Sequence, residues 1–300
     1  MAPRTRTAVH NLPTKMKKLL TLAALYLVAI AAVGQNVQHA QIKALYQYTE
    51  LRRHIQGHDF EDTDDMMLLA SPVGSRFFSV KTEEYDSLMA SPGGKDKYSE
   101  LLKVAAATAL VIENGSLTVD RNKVNLPSHG KNFQVNRPDN DNYLTVIDYA
   151  AQEDFTYTVP LSDLQWEIGD STKIILGYEC QLAIADYHGR KWIVWFAPEI
   201  PIQSGPWQLM GLPGLIMEAE SDGGEYKFSI TGLERCNIPI NSRPGNRVYS
   251  KISRKEFRKL QSEIQRNPGK QWPDGSVKIE NIEESIKART AHDLIETDYK

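Results

Sequence analysis

Cysteine is nearly absent from this 300-residue chain, which has two, Cys180 and Cys236. At most one disulfide is available to it. His-Glu-x-x-His, Gly-x-Ser-x-Gly, a phosphate-binding loop and a dinucleotide fingerprint are all missing, so hydrolase, zinc-protease and nucleotide-dependent classes have no motif to stand on. Neither cysteine has a histidine placed by a cysteine-protease signature. No apolar run reaches the roughly 20 residues that a membrane helix needs. Basic excess is lacking too: 35 Lys and Arg stand against 38 Asp and Glu. A nucleic-acid partner, which needs a basic surface, is therefore excluded. No catalytic residue, no cofactor and no metal is assigned from the sequence.

The first 34 residues read as a leader. Met16-Lys17-Lys18 precedes the apolar run Leu19–Val33, and Ala32-Val33-Gly34 offers small residues for signal-peptidase cleavage before Gln35. Met16 is the expected start of translation. Removal of this segment, with its five Lys/Arg and no acid, takes the net charge from −3 to −8. No cysteine follows the apolar run, so the mature chain is expected to carry neither a lipid nor a transmembrane anchor and to work in the periplasm or beyond.

The rest is expected to be mainly β, an α+β single domain over 35–300. From Lys131 onward, short apolar-alternating runs separated by polar or Gly turns predict an antiparallel meander, not βαβ units. Helical patterns appear near 82–110 and from Ser253, where Ser253-Arg254-Lys255-Glu256 has capping-box spacing. Gln38–Leu51 fits a helix or a strand. Glu61–Asp65 reads as an acidic loop. The last thirty residues read as a mixed tail.

The densest stretch is Trp195–Glu220, which holds two of the five tryptophans. Trp192, Val194 and Phe196 share one parity and Ile193 and Trp195 the other, which predicts a strand covered on both faces. Pro198 and Pro201 end its pairing. Leu212-Pro213-Gly214-Leu215 fits a type II turn with positive φ at Gly214. Ser221–Gly224 then closes a hairpin between Leu215–Ala219 and Tyr226–Ile230.

Trp195–Pro201 with Glu199, then Gly205-Pro206-Trp207 and Gly211–Ile216, resembles the GLPGLI family of Bacteroidetes cell-envelope proteins. Gly177-Tyr178-Glu179-Cys180 and Gly189-Arg190 extend the resemblance over roughly residues 174–234. It implies an exported, mostly β protein with a curved antiparallel sheet, favours the strand over the helix at 38–51, and brings no catalytic residue with it. Pro198, Glu199, Gly205, Pro206, Gly211, Pro213 and Gly214 are expected to be structural.

Other constellations are weaker. Glu218 and Glu220 share a strand face, which a solvated surface explains. His54 and His58 beside Asp59–Asp65 are an exposed polar stretch before they are a metal site. Asp139-Asn140-Asp141-Asn142 lacks the sixth-place glycine and twelfth-place glutamate of a calcium loop. Cys180 and Cys236 share an apparent interior parity, so a bridge between neighbouring strands is open to them, with two buried thiols as the alternative.

Three functions fit. The leading one is a non-enzymatic envelope protein whose apolar face, with Trp166, Trp192, Trp195 and Trp207 as candidate binding residues, takes a hydrophobic ligand or a protein. The second is an interaction module for an outer-membrane transporter or another envelope complex, using an exposed Pro/Trp loop at 198–213. An envelope hydrolase or metal enzyme comes last.

Overall fold

In the computed structural model, residues 38–55, 58–113, 116–119, 126–138, 141–276 and 282–299 are described. The leader, its cleavage site, Asp139 and Asn140 lie outside them, as do the side chains of His54 and His58. The strands, in chain order, are β1 (His39–Ile55), β2 (His58–Ala70), β3 (Ser75–Ser79), β4 (Leu110–Glu113), β5 (Ser116–Val119), β6 (Gln134–Arg137), β7 (Tyr143–Ala150), β8 (Glu153–Pro160), β9 (Glu167–Ile175), β10 (Tyr178–Tyr187), β11 (Arg190–Ala197), β12 (Leu215–Ser221), β13 (Tyr226–Pro239) and β14 (Ser250–Lys251). The helices are α1 (Val80–Ala90), α2 (Gly94–Ala109), α3 (Arg254–Arg266) and α4 (Ile282–Thr290). Among the described residues no helix is long and apolar enough to cross a membrane.

Twelve strands form one open sheet in the order β14-β8-β7-β6-β3-β2-β1-β13-β12-β11-β10-β9. Every pair in it is antiparallel apart from β14 with β8. The predicted mainly-β class is what the chain adopts. His39–Lys300 forms a compact unit. All of Gln38–Leu51 but Gln38 itself belongs to the 17-residue β1, which pairs with β2 and β13 at the middle of the sheet.

The core lies on one sheet face. Tyr46 and Tyr48 of β1, Phe77 of β3, Trp192, Val194 and Phe196 of β11 and Phe228 of β13 are fully or almost fully buried in it. The alternation Trp192/Val194/Phe196 inward and Ile193/Trp195 outward follows the strand period of two. Helix α3 closes the β7–β8 end, its Phe257 ring 5.6 Å from Phe155 and 5.5 Å from Tyr157. The predicted capping box starts it: Ser253 Oγ accepts from the Glu256 backbone N–H and Glu256 accepts from the Ser253 N–H. The last thirty residues contain α4, which their sparse apolar pattern does not announce.

Four expectations need correction. The acidic stretch Glu61–Asp65 is not a loop but part of β2. Its alternation puts Asp64 inside, where the Lys131 N–H donates to it at 2.6 Å, and Asp62 beside Lys131 Nζ at 2.8 Å. Lysine and arginine from outside the strand cancel the charge that made the stretch read as solvated.

The cysteine bridge does not form: both thiols are free. Cys180 sits on β10 and Cys236 on β13, with β11 and β12 between them. The parity argument failed at a register shift, where Leu45 faces Gly232 but Tyr46 faces Ile230. The extra residue, Thr231, reverses which side chains point inward beyond it. Cys236 therefore packs with Ala40, Leu69 and Phe78 outside the main core.

Gly214 does not have a positive φ; within the motif the positive glycine is Gly211, at +91°. The Gly214 N–H donates to Leu212 O at 2.8 Å, so Pro213 is the centre of a three-residue turn and not the second residue of a type II turn. Gly214 is required for another reason: a Cβ there would fall within contact distance of the Ala197 carbonyl and of Pro198 Cα, both backbone. Gly214→Ala is expected to lower stability by about 1–3 kcal/mol, the range for forcing an extra carbon into packed structure. An unchanged urea midpoint would show that the 197–198 backbone yields freely.

The loop 198–213 is not an exposed arm. Ile202, Ser204 to Met210 and Leu212 are buried.

Candidate functional site

Two prolines shape the segment after β11. Pro198 follows Ala197, whose carbonyl accepts from the Ile200 N–H at 3.2 Å, the position in a β-turn that a preset φ favours. Pro201 centres a tighter turn, with the Ile202 N–H donating to Ile200 O at 2.7 Å. Those turns direct Ile200 and Ile202 toward the ends of β1 and β13. The result is a groove of about 500 Å³ walled by Tyr178, Ile200, Pro201, Ile202 and Leu233, with Glu199, Glu234 and Arg235 around it and Cys236 among its lining residues. Its volume is in the range of small-molecule sites, about 300–1,000 Å³.

The four tryptophans do not gather at this groove. Trp192 and Trp207 lie in the core, ring centroids 5.2 Å apart. Trp207 has φ +53°, a conformation a bulky residue adopts only where its surroundings hold it there. Tyr187 and Trp192 do so by packing on its indole, and the Leu209 N–H closes a turn on Pro206 O at 3.1 Å. Trp166 is half-buried and its Nε1–H donates to Met210 O at 2.8 Å. Trp195 alone faces the other side of the sheet. There it lines a polar depression of about 430 Å³ with Lys173, Glu218, Glu220 and Lys227, and Lys173 Nζ stands 4.6 Å from its ring centroid.

Among the motif residues, Glu199 borders the groove. Pro198 and Pro213 are exposed, and Pro206 is buried. Gly205 leaves no room for a Cβ against the Leu209 carbonyl and Ile216.

A second constellation was invisible in the spacing. It joins the β10–β11 turn, the Trp207 loop, helix α3 and residues 293–298. Glu296 is fully buried, and its carboxylate accepts from Arg258 at 2.5 Å, Arg254 at 2.7 Å and Gln208 Nε2 at 3.0 Å. Arg254 also grips Asp298 through two hydrogen bonds of 2.7 Å. Burial alone would raise the pKa of Glu296, but the Arg258 charge and hydrogen bond, with smaller help from His188 and Arg254, hold it below the usual carboxylate range. Asp148, 3.8 Å from Arg258, goes the other way: burial lifts its pKa to about 6 against the pull of Arg258.

Since Gln208 gives its amide N–H to Glu296, its oxygen faces His188 Nε2 at 3.2 Å, so that nitrogen carries the imidazole proton. Burial lowers the pKa of His188 against the pull of nearby Glu296, and its Nδ1 stands 3.5 Å from Asp298. His188, Glu296 and Asp298 also bring three potential metal-ligand atoms within 4.8 Å of one another. Two guanidinium groups already satisfy both carboxylates, so this donor set does not suit a cation. Its chemistry is that of a carboxylate receptor.

No curated protein matches the chain. Two crystal structures of PNGF-II, in space groups P21 and C2, overlap it with TM-scores of 0.47 and 0.45 at 11% sequence identity each. The overlaps cover 75% and 74% of this chain but 34% and 33% of those chains, so it spans about a third of their length. A likeness of that size carries no argument. Over residues 188–218, from the β10–β11 turn through the Trp207 loop to Glu218, the chain is similar to the Porph_ging family, described as a protein of unknown function.

Proposed function

We propose that this is a non-enzymatic protein of the cell envelope, of the GLPGLI type, that takes a hydrophobic ligand in the groove between the 198–202 loop and the ends of β1 and β13. The groove itself carries the reading: about 500 Å³, walled by Ile200, Ile202, Leu233 and Tyr178, with charge at Glu199, Glu234 and Arg235. Walls shared about equally between apolar and polar groups suit an amphiphile with an acyl or similar apolar chain. The loop that forms one wall belongs to the stretch with the family likeness. The lysines, apolar run and small residues of 16–34 support export to the periplasm.

Native mass spectrometry of protein exported in its own host tests this. Wild type is expected to retain lipid or acyl mass that the double variant Tyr178→Ser, Leu233→Ser loses while staying folded; both residues are half-buried at the margin of the core. Clean apo mass for the wild type would sink the ligand reading.

One observation favours the interaction-module alternative. Strand β9 is a nine-residue sheet edge, with Ile168 and Ile174, and Leu176 just beyond it, about half or more exposed. An open edge of that length is a template for strand addition by an envelope partner. Photo-crosslinking from position 174 in cells separates the two readings: a discrete protein adduct supports the module, and none is expected from a pure carrier.

A further inference from the structure

Residues 293–298 lie against the end of the β10–β11 hairpin in the manner of a bound peptide. They add no strand to the sheet. Tyr226 OH donates to Asp293 O at 2.6 Å, and Arg190 donates to the Leu294 and Ile295 carbonyls at 2.9 and 3.0 Å. The Thr297 N–H donates to His188 O at 2.9 Å, and Thr297 Oγ1 donates to Gly189 O at 2.9 Å. Gly189 is part of the fit, because a Cβ there would strike Thr297 Oγ1 and the Asp298 backbone nitrogen. The two acidic side chains enter a socket made by other elements: Glu296 between Arg258, Arg254 and Gln208, and Asp298 on the outer edge of Arg254.

Backbone carbonyls are caught by side chains, one backbone N–H by a carbonyl, and alternate carboxylates by arginine. Every one of those contacts is independent of how the segment is joined to the rest of the chain. Ion pairs hold the two acids, and desolvating an ion pair offsets much of its attraction, while Ile295 packs on the core. A segment held this way grips less tightly than its number of contacts suggests, and water can take over its groups when it leaves.

We propose that this cleft is a binding site for acidic peptide segments carrying Glu-x-Asp in extended form, and that residues 293–298 are its resident occupant, displaceable by a segment of the same chemistry. Arg258 and Gln208 read the glutamate, Arg254 reads both acids, and Arg190 with Tyr226 aligns the backbone. The proposal is independent of the groove at 198–202.

The test uses the full chain carrying Glu296→Ala, which weakens the resident, and a dye-labelled peptide of sequence His-Asp-Leu-Ile-Glu-Thr-Asp-Tyr-Lys, matching residues 292–300. Fluorescence anisotropy should show saturable binding, at least tenfold weaker to wild type, whose own segment competes. Binding should fall at least tenfold when the peptide glutamate becomes glutamine or when Arg254→Ala is added to the protein. Should Glu296→Ala fail to fold, a protease site placed between Ala291 and His292 of the wild-type chain is cut after purification, and exchange of labelled peptide into the cut protein is followed by native mass spectrometry. Failure of the peptide to bind the folded variant, or to exchange into the cut protein, overturns the proposal. Binding that ignores both the peptide glutamate and Arg254 overturns it equally.

Discussion

Replacing Arg258 by alanine is expected to cost about 3–5 kcal/mol of folding stability, the range for removing one partner of a buried ion pair. The guanidinium is almost wholly buried, donating to Glu296, Tyr157 and Gln261, with Asp148 at 3.8 Å. Without it, Glu296 keeps Arg254 and Gln208 but loses its shortest contact, and the Tyr157 hydroxyl loses its donor. Asp148, already lifted to about 6 by burial, would lose the cation that opposes the rise and would be driven further toward the neutral acid. A hydrophobic replacement of both partners, Arg258→Met with Glu296→Leu, should recover part of the loss, because Glu296 is no longer stranded, although Asp148 still loses its cation. Urea denaturation of the two single variants and the double variant gives the coupling energy directly. A cost below about 1 kcal/mol for Arg258→Ala would mean that water reaches the cluster, and the closed carboxylate socket described above would not exist.

That cluster also marks what sequence reasoning reaches and what it does not. The strand period was legible in Trp192, Val194 and Phe196, the hairpin in Ser221–Gly224 and the helix start in Ser253 and Glu256, because each signal lies within a few residues of chain. The ionic cluster draws on Asp148, His188, Gln208, Arg254, Arg258 and Glu296. No local pattern links residues so far apart, and each alone reads as an exposed polar side chain. The walls of the groove were not legible for a similar reason: Tyr178, Ile202 and Leu233 come from three segments that the turns at Pro198 and Pro201 help bring together. The cysteine error had a different cause, since a one-residue bulge at Thr231 flips the side chains after it as far as the next register shift, beyond Arg235, and leaves no trace in the apolar alternation. Gly214 was recognised as essential but for the wrong reason. Sequence shows that a glycine is present, not whether φ or a neighbouring carbonyl demands it.

Trp192 and Trp195, three residues apart on β11, should behave as opposites. Trp192→Ala is expected to cost about 3–5 kcal/mol, the usual loss for emptying a large aromatic site in a core. The site cannot collapse easily, because Trp207 at 5.2 Å and Phe228 at 6.2 Å are themselves fixed in the same cluster. Trp192→Phe should cost far less, under about 1.5 kcal/mol, for a reason beyond volume. The indole N–H of Trp192 is buried without a hydrogen-bond partner, so phenylalanine loses packing but also removes an unsatisfied donor. Trp195→Ala removes a half-exposed ring whose main polar contact is Lys173 at 4.6 Å, and a cation–π contact at such a site contributes about 0.5–1 kcal/mol. Thermal melts of the three variants check the contrast. Comparable losses for Trp192→Ala and Trp195→Ala would mean that both faces of β11 are covered in solution. In that case the polar depression beside Trp195 would be an occupied surface, and Lys173, Glu218 and Lys227 would be the residues to probe for what lies on it.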